Sequence, residues 1–488
     1  MASDERLGDQ RLDDKRTGDI ETHPLARTLV EQVMQAIKQR ISARTLVPGA
    51  KLPSIRSFAE VMQVSKSTVV EAYDRLSAEG VILSRRGSGF FVTSQMSGNN
   101  SGHLTPLTLA EIGPKLDREV DPLWVSRQSL EAGEQYLKPG CGWMPASWMP
   151  EVPIRKALRS LSRANDAILT EYGSPLGLSE MRQFLARRAA TYGIDASPDQ
   201  IILTGSGTQA IDQLCRYLLE PGDCVIVDDP CYFNFHALLR AHRAKVVSVP
   251  FTPNGPDLDQ FEQALKEHKP RLYITNSGLH NPTGATLSPV VAHRVLRLAE
   301  QHDLTIIEDD IFADLEPEPA PRYAAFDGLD RVVHIGSFSK TLSASVRCGY
   351  IIARPEWIDG LVDLRIATSF GAGHFAAELV LTVLKDGAYR KHLDALRTRL
   401  AGAMSITSAR LAKLGIKPWV EPRGGMFLWC ELPEGVDGAN LAQRALAQNI
   451  VLAPGSVFSL NNTADRFMRF NAAQAQDPKV FEVLETLL

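Results

Sequence analysis

Between residues 201 and 352 the chain repeats one pattern: a short run of branched apolar residues, a polar turn, then a stretch with helical spacing. The runs are "QIILTGS", "CVIVDDP", "AKVVSVPF", "RLYITNS", "LTIIEDD", "RVVHIGS" and "RCGYIIA". Strands that are apolar along their whole length are covered on both faces, and the intervening helices supply the cover. The alternation therefore predicts an α/β unit with a mainly parallel sheet. Such sheets bind ligands beyond the carboxyl ends of their strands, so the polar residues that end these runs belong together.

"TGSGTQAIDQLC" runs from a strand through a turn into a helix start. The amides of Gly207, Thr208 and Gln209 suit an anion, although many strand-to-helix turns look the same. "DDPCYFNF" offers Tyr232, which either stacks on a ring or fills the core. "NSGLHNPTG" sets Asn281 before a Pro-Thr-Gly turn, and "IIEDDIFADL" ends a strand in acids that include Asp309. "GSFSKTLSASVRCGY" holds Ser337, Ser339, Lys340 and Arg347, with a lone lysine in a serine turn at the mouth of a strand. Pyridoxal 5'-phosphate needs each of these: a lysine for its aldehyde, a carboxylate for its pyridinium nitrogen, an anion cradle, a stacking ring and a donor for its phenolic oxygen. The combination predicts that cofactor, with Lys340 forming the Schiff base and the serines and Arg347 on the phosphate.

The chain of 488 residues is too long for one small core and fits two or three units. No apolar run reaches the roughly 20 residues that span a bilayer, so no membrane partner is expected. Residues 1–22 are polar, carry both charges and read as disordered, with neither signal nor transit character. Six cysteines without a CxxC pair predict free thiols in a cytoplasmic protein and no metal site. The net charge of −4 is uneven. Residues 23–95 hold ten Lys and Arg against five Asp and Glu, while the flanking stretches are acidic. A basic island suits a polyanion, or is simply a solvated surface.

Inside that island, residues 24–44 place Leu29, Val33, Ile37 and Ile41 on one helical stripe. Ser54 caps a second short helix, "IRSFAEVMQ", and Ser65 a third, "KSTVVEAYDRLSAE". "VILSRRGSGFFV" then reads as a hairpin. Three helices and a hairpin make a winged helix-turn-helix, whose third helix enters the major groove. Its first turn carries Ser65, Lys66, Ser67 and Thr68. Arg56 lies on the helix before, and Arg85 and Arg86 in the wing. A helical adaptor with incidental basic residues is the alternative. Residues 95–120 read as a linker, flexible in its Gly/Asn/Ser-rich first half.

The stretch from "PGAKLPSIRSFAEVMQVSKSTVVEAYDRLSAEG" to "GSGFFV" resembles the DNA-binding domain of GntR-type bacterial regulators. That resemblance places Ser54, Arg56, Ser65, Lys66, Ser67, Thr68, Arg86 and Gly87 on the phosphates or bases of an operator. Val70 stands where some of these domains carry a basic residue, so base preference does not transfer. Residues 121–488 resemble the fold-type I aminotransferases through "YGSPLGLSEMR", "GLHNPTG", "SFSKTL", "GGMFLW" and "FMRFNAA". The resemblance implies a homodimer in which Tyr172 reaches the phosphate in the neighbouring subunit. It also implies that Arg469 grips a substrate carboxylate and that the segment around Gly142 folds over the site. Alone, Arg469 reads equally as a salt bridge. The two parts together resemble the MocR/GabR subfamily of transcriptional regulators.

The expected architecture is multidomain. Residues 1–22 form a disordered terminus, 23–94 a winged helix-turn-helix (α+β), 95–120 a linker and 121–488 an α/β fold-type I aminotransferase-like unit. The expected function is a regulator that binds double-stranded DNA and senses a small amino compound, in a bacterial cytoplasm at the nucleoid. An active amino-acid aminotransferase with an appended DNA-binding domain is the alternative. Phe312 bears on the choice. Related aminotransferases often carry tyrosine three residues after the aspartate, and phenylalanine lacks its hydroxyl.

Overall fold

The computed structural model describes residues 28–43, 45–85, 87–93, 120–121, 123–163, 166–371 and 373–488. The expectations for residues 1–22, for Arg86 and for most of the linker fall outside these. The chain divides into two compact units, Met1–Thr108 and Leu109–Leu488.

In the first unit, α1 (Leu29–Ser42) starts at a capping box that the apolar spacing alone does not reveal. Thr28 Oγ1 accepts from Glu31 N at 3.3 Å and Glu31 Oε2 accepts from Thr28 N at 2.9 Å. Of the expected stripe, Val33 and Ile37 are buried with Met34, whereas Leu29, in the first turn, is exposed. α2 (Ile55–Met62) and α3 (Lys66–Ala78) begin where their serines indicate. Ser54 Oγ accepts from Ser57 N at 3.2 Å and Ser65 Oγ from Thr68 N at 3.1 Å. Gln63, in the left-handed region at φ 53°, closes α2 and makes the tight turn. The wing pairs β1 (Ile82–Arg85) with β2 (Gly89–Val92) in antiparallel register. Tyr73 ties α3 to both neighbours: its hydroxyl donates to Pro53 O at 2.9 Å, and its ring meets Phe90 edge-on at 5.0 Å.

All seven expected strands form in the second unit. They are β3 (Ile201–Thr204), β4 (Cys224–Asp229), β5 (Lys245–Thr252), β7 (Leu272–Thr275), β8 (Thr305–Asp309), β9 (Val332–Ser337) and β10 (Gly349–Ile352). With the short β6 (Gly255–Pro256) they order as β3-β10-β9-β8-β7-β4-β5-β6. Strands β5-β4-β7-β8-β9 are parallel, while β10 runs antiparallel between β3 and β9. Alternate residues enter different cores, as the pleat requires. Ile202, Ile307, Val333 and Ile351 join one cluster, and Ile201, Ile306, Val332 and Ile352 another. Gly349 is needed on β10, because a Cβ there would stand 2.7 Å from Ser206 C and 3.0 Å from Gly207 N. A second, antiparallel sheet of β11 (Lys417–Pro418), β12 (Phe427–Glu431), β13 (Ala453–Pro454) and β14 (Phe467–Asn471) packs in a third apolar cluster. No single helix among the described residues is long and apolar enough to cross a membrane.

Candidate functional site

Topology brings the polar strand ends together. Ser206–Gly207 follow β3, Tyr232 follows β4, Asn281 follows β7, Asp309 ends β8, and Ser337 to Lys340 close β9. Arg469 arrives from β14 of the other sheet.

Lys340 Nζ donates to Gly142 O at 2.7 Å and lies 5.8 Å from the centre of the Phe312 ring. Burial, reinforced by the Arg469 charge and opposed by Asp309, lowers the Lys340 amine from its ordinary 10.5 to about 8. Burial raises the Asp309 carboxyl to about 7. Two groups of opposite charge are thus both moved towards neutrality in the same site, a pattern that marks functional clefts. Burial also raises the Tyr232 phenol.

Arg469 is buried to 1 % exposure. Its Nη1 donates to Asn281 Oδ1 at 2.8 Å and its Nη2 to Gly140 O at 2.8 Å, while Nε has no partner among the described residues. The guanidinium lies over Phe427 at 4.1 Å and Phe458 at 4.8 Å. Burial without a carboxylate lowers its pKa to about 10. A buried guanidinium held by neutral groups and by ring faces is a receptor for an anion.

The turn after β3 forms a helix N-terminus that the strand-turn-helix pattern outlines only in part. Ser206, which no motif singles out, caps the helix Gly207–Leu218 by accepting from Gln209 N at 3.1 Å. Gln209 Oε1 in turn accepts from Gly205 N. The amides of Gly207 and Thr208 then have no intrahelical acceptor, as at any helix start. A Cβ on Gly207 would stand 3.1 Å from Ile311 Cγ2, so the approach to these amides is narrow. Ser337 Oγ pairs with Ser339 Oγ and donates to Cys348 O at 3.2 Å. Arg347 is exposed and takes a left-handed φ of 56°.

A set of residues that the sequence patterns do not flag clamps the position after the lysine. Thr341 Oγ1 donates to Asp314 Oδ2 at 3.1 Å and pairs with Tyr389 OH at 2.9 Å. His392 Nε2 lies 3.1 Å from Thr341 O, and Arg188 pairs with Asp314. These groups come from separate segments, so no local spacing signals them. Tyr172 stays apart: its ring is 84 % exposed and touches Phe370 at 5.6 Å. All six cysteines are free and buried, and burial raises every thiol, Cys141 to about 11. Among the described residues no cluster could hold a metal ion.

On the first unit, Ser65, Lys66 and Ser67 are exposed at the start of α3, and the Ser65 hydroxyl pairs with Ser67 Oγ at 2.7 Å and Thr68 Oγ1 at 2.8 Å. Arg56 pairs with Glu60 at 3.5 Å with both side chains exposed. Arg85 lies over the Phe91 ring at 4.8 Å, and Gly87 turns the wing at φ 75°.

Residues 29–92 match the model of bacterial regulatory proteins of the gntR family, and residues 147–487 that of aminotransferase class I and II. The HTH-type transcriptional regulator YdcR of Escherichia coli is 30% identical over 452 residues, spanning 91% of this chain and 94% of its own. The chain belongs to this family of gntR-type regulators with an aminotransferase domain. The HTH-type regulator NorG of Staphylococcus aureus is 26% identical across 84% of this chain and 92% of its own. Solved aminotransferases share the fold of the family's larger unit. Kynurenine aminotransferase of Pyrococcus horikoshii, in complex with PMP, matches at TM-score 0.69 and 25% identity over 76% of this chain and 94% of its own. LysN, the α-aminoadipate aminotransferase of Thermus thermophilus, complexed with N-(5'-phosphopyridoxyl)-L-leucine, matches at TM-score 0.68 and 25% identity over 75% of this chain and 94% of its own. The chain is thus a transcriptional regulator of the MocR-like architecture, as its motifs lead one to expect.

Proposed function

We propose that the aminotransferase unit of this regulator holds pyridoxal 5'-phosphate on Lys340 and senses an amino compound that carries a carboxylate. One observation carries the reading: the Lys340 amine, lowered to about 8, shares a buried site with Asp309, Asn281 and the part-satisfied Arg469. The residues fit the cofactor. Asp309 would accept the hydrogen bond of the pyridinium N–H and keep that nitrogen protonated, Tyr232 would cover the ring, and Asn281 would donate to the phenolic oxygen. The amides of Gly207 and Thr208 would hold the phosphate with the Gln209, Ser337, Ser339 and Arg347 side chains. The bound group would supply an aldehyde able to condense, with loss of water, with a primary amine, and Lys340 would be the chain's own amine for it. An arriving amino compound would put its own amine in place of that of Lys340 there, leaving Lys340 as a free amine. Its carboxylate takes the Arg469 donors now given to Asn281 and Gly140, and the segment around Gly142 answers that exchange. Tyr172, exposed in one chain, completes the phosphate site of a second copy, which makes the working form a homodimer.

In the first unit, Ser54, Arg56, Lys66, Ser67, Thr68, Arg85, Arg86 and Gly87 meet the operator, with Ser65 setting the first turn of α3. Phe312 favours sensing over turnover, since a ring without a hydroxyl adds no second donor beside Asn281 at the phenolic oxygen. An active aminotransferase is the second reading, favoured by the intact Arg469 grip. The test has two arms. Borohydride treatment of the protein with pyridoxal 5'-phosphate should fix a mass adduct on Lys340, and Lys340→Ala should abolish it. Duplex binding should respond to amino acids in wild type and not in Arg469→Ala. An adduct that persists in Lys340→Ala, or an unchanged response in Arg469→Ala, overturns the proposal. Rapid multi-turnover transamination by wild type transfers the case to the enzyme reading.

A further inference from the structure

The buried side of α3 is complete without one residue. Val69, Ala72, Tyr73 and Leu76 fill the core of the first unit at 0 % exposure, while Val70 is 39 % exposed. It stands on the stripe Lys66–Val70–Asp74, spaced four residues apart, beside Ser67 and one turn beyond the Ser65 cap. The neighbouring Glu71 and Arg75 are engaged with each other at 2.6 Å. The outward surface of this part of α3 is otherwise polar or charged. Scattered exposed valines are ordinary on a protein surface. Here, however, the residue is β-branched and helical, so it lowers helix propensity while leaving much of its side chain in solvent. It also lies on the face of the helix that meets DNA in a winged helix-turn-helix.

A major groove offers an isopropyl group one complementary feature, the thymine 5-methyl. The other base edges there are hydrogen-bond donors and acceptors, which valine can only desolvate. We propose that Val70 is a specificity-determining residue of this regulator, packing on a thymine methyl in each half-site and disfavouring guanine or cytosine at that position. The inference rests on the DNA-binding reading of the first unit. Lys66 and Ser67, one turn earlier, hold the helix on the backbone, and Val70 supplies one apolar contact. About 6 Å of helix separates Val70 from Lys66, enough to pass from a phosphate to a base edge.

The experiment selects binding duplexes from a random pool with full-length protein, then replaces each thymine of the selected half-site by deoxyuridine in turn. The methyl group alone is removed. Affinity should fall about fourfold at one position per half-site, which corresponds to about 0.8 kcal/mol for one buried carbon. Val70→Ala should bind thymine and uracil equally there, and Val70→Thr, which keeps a branched methyl, should restore most of the difference. Thermal unfolding of each variant is recorded beside its affinity, so that a loss of folding is told apart from a loss of contact. Val70→Arg should change the selected base at that position to guanine. If wild type selects a sequence but no thymine-to-uracil exchange alters its affinity, or if Val70→Ala keeps the full discrimination, the proposal is overturned. If wild type selects no sequence at all, the DNA-binding reading falls with it.

Discussion

Arg469→Gln removes one positive charge beside Lys340 and keeps a hydrogen-bonding amide in its place. A Cβ built on Gly142 would stand 3.9 Å from both Lys340 Nζ and Arg469 Nη2, so the two nitrogens are at most about 8 Å apart. At that separation, with an effective dielectric constant near 20, like charges repel by roughly 2 kcal/mol, or between one and two pKa units. Lys340 is only partly buried by surface area, and solvent reduces the effect to about one unit. Arg469 ranks second to burial as the cause of the low Lys340 pKa. The variant should therefore move the amine from about 8 towards 9, and its neutral fraction at pH 7 should fall about tenfold. Competitive labelling with limiting acetic anhydride, read by mass spectrometry over a pH series on cofactor-free protein, measures the midpoint directly. Arg469→Lys keeps the charge and should leave the midpoint near that of wild type. A wild-type midpoint near 10.5 would refute the buried-amine account, and equal midpoints in wild type and Arg469→Gln would refute Arg469 as a cause.

Ser65→Ala removes the α3 cap and should destabilise the first unit by about 1 kcal/mol; an unchanged thermal midpoint for that unit would count against the capping role. Asp309→Asn probes linkage. The folded Asp309 pKa is raised from 3.8 to about 7, so the stability it lends is fully present below pH 4 and lost as pH rises through 7. Urea midpoints of the cofactor-free protein should therefore show wild type losing ground to Asp309→Asn between pH 4 and 8, by a few kcal/mol in order of magnitude. Parallel pH profiles would show that the carboxyl is not shifted.

What is legible in the sequence is local. Ser54 and Ser65 announce their helices because a cap is a bond between residues three apart. The seven strands announce themselves by runs of branched apolar residues; six are buried along nearly their whole length and β5 only in part. The antiparallel insertion of β10 between β3 and β9 has no local sign, since nothing in "RCGYIIA" tells the direction of its neighbours. Arg469 is marked by "FMRFNAA", yet its bond to Asn281 spans 188 residues and follows from the meeting of two sheets. Thr341 and Asp314 lie within "SFSKTL" and "IIEDDIFADL", yet their meeting with each other and with Tyr389, His392 and Arg188 has no local sign, because it joins distant segments. Thr28 differs: Thr-x-x-Glu is a readable signal, but the apolar spacing of the helix that follows dominates the stretch.

The burial of all six thiols has a practical side. A cysteine introduced at an exposed position, such as Val61 on α2 or Val290 in the second unit, would be the fast-reacting thiol in a background of shielded ones. Maleimide dyes or spin labels could then be attached to the native chain without first stripping it of cysteines. A pair of such labels, one per unit, turns the regulator into its own ruler: the separation of its two halves can be followed as amino compounds and duplex are added.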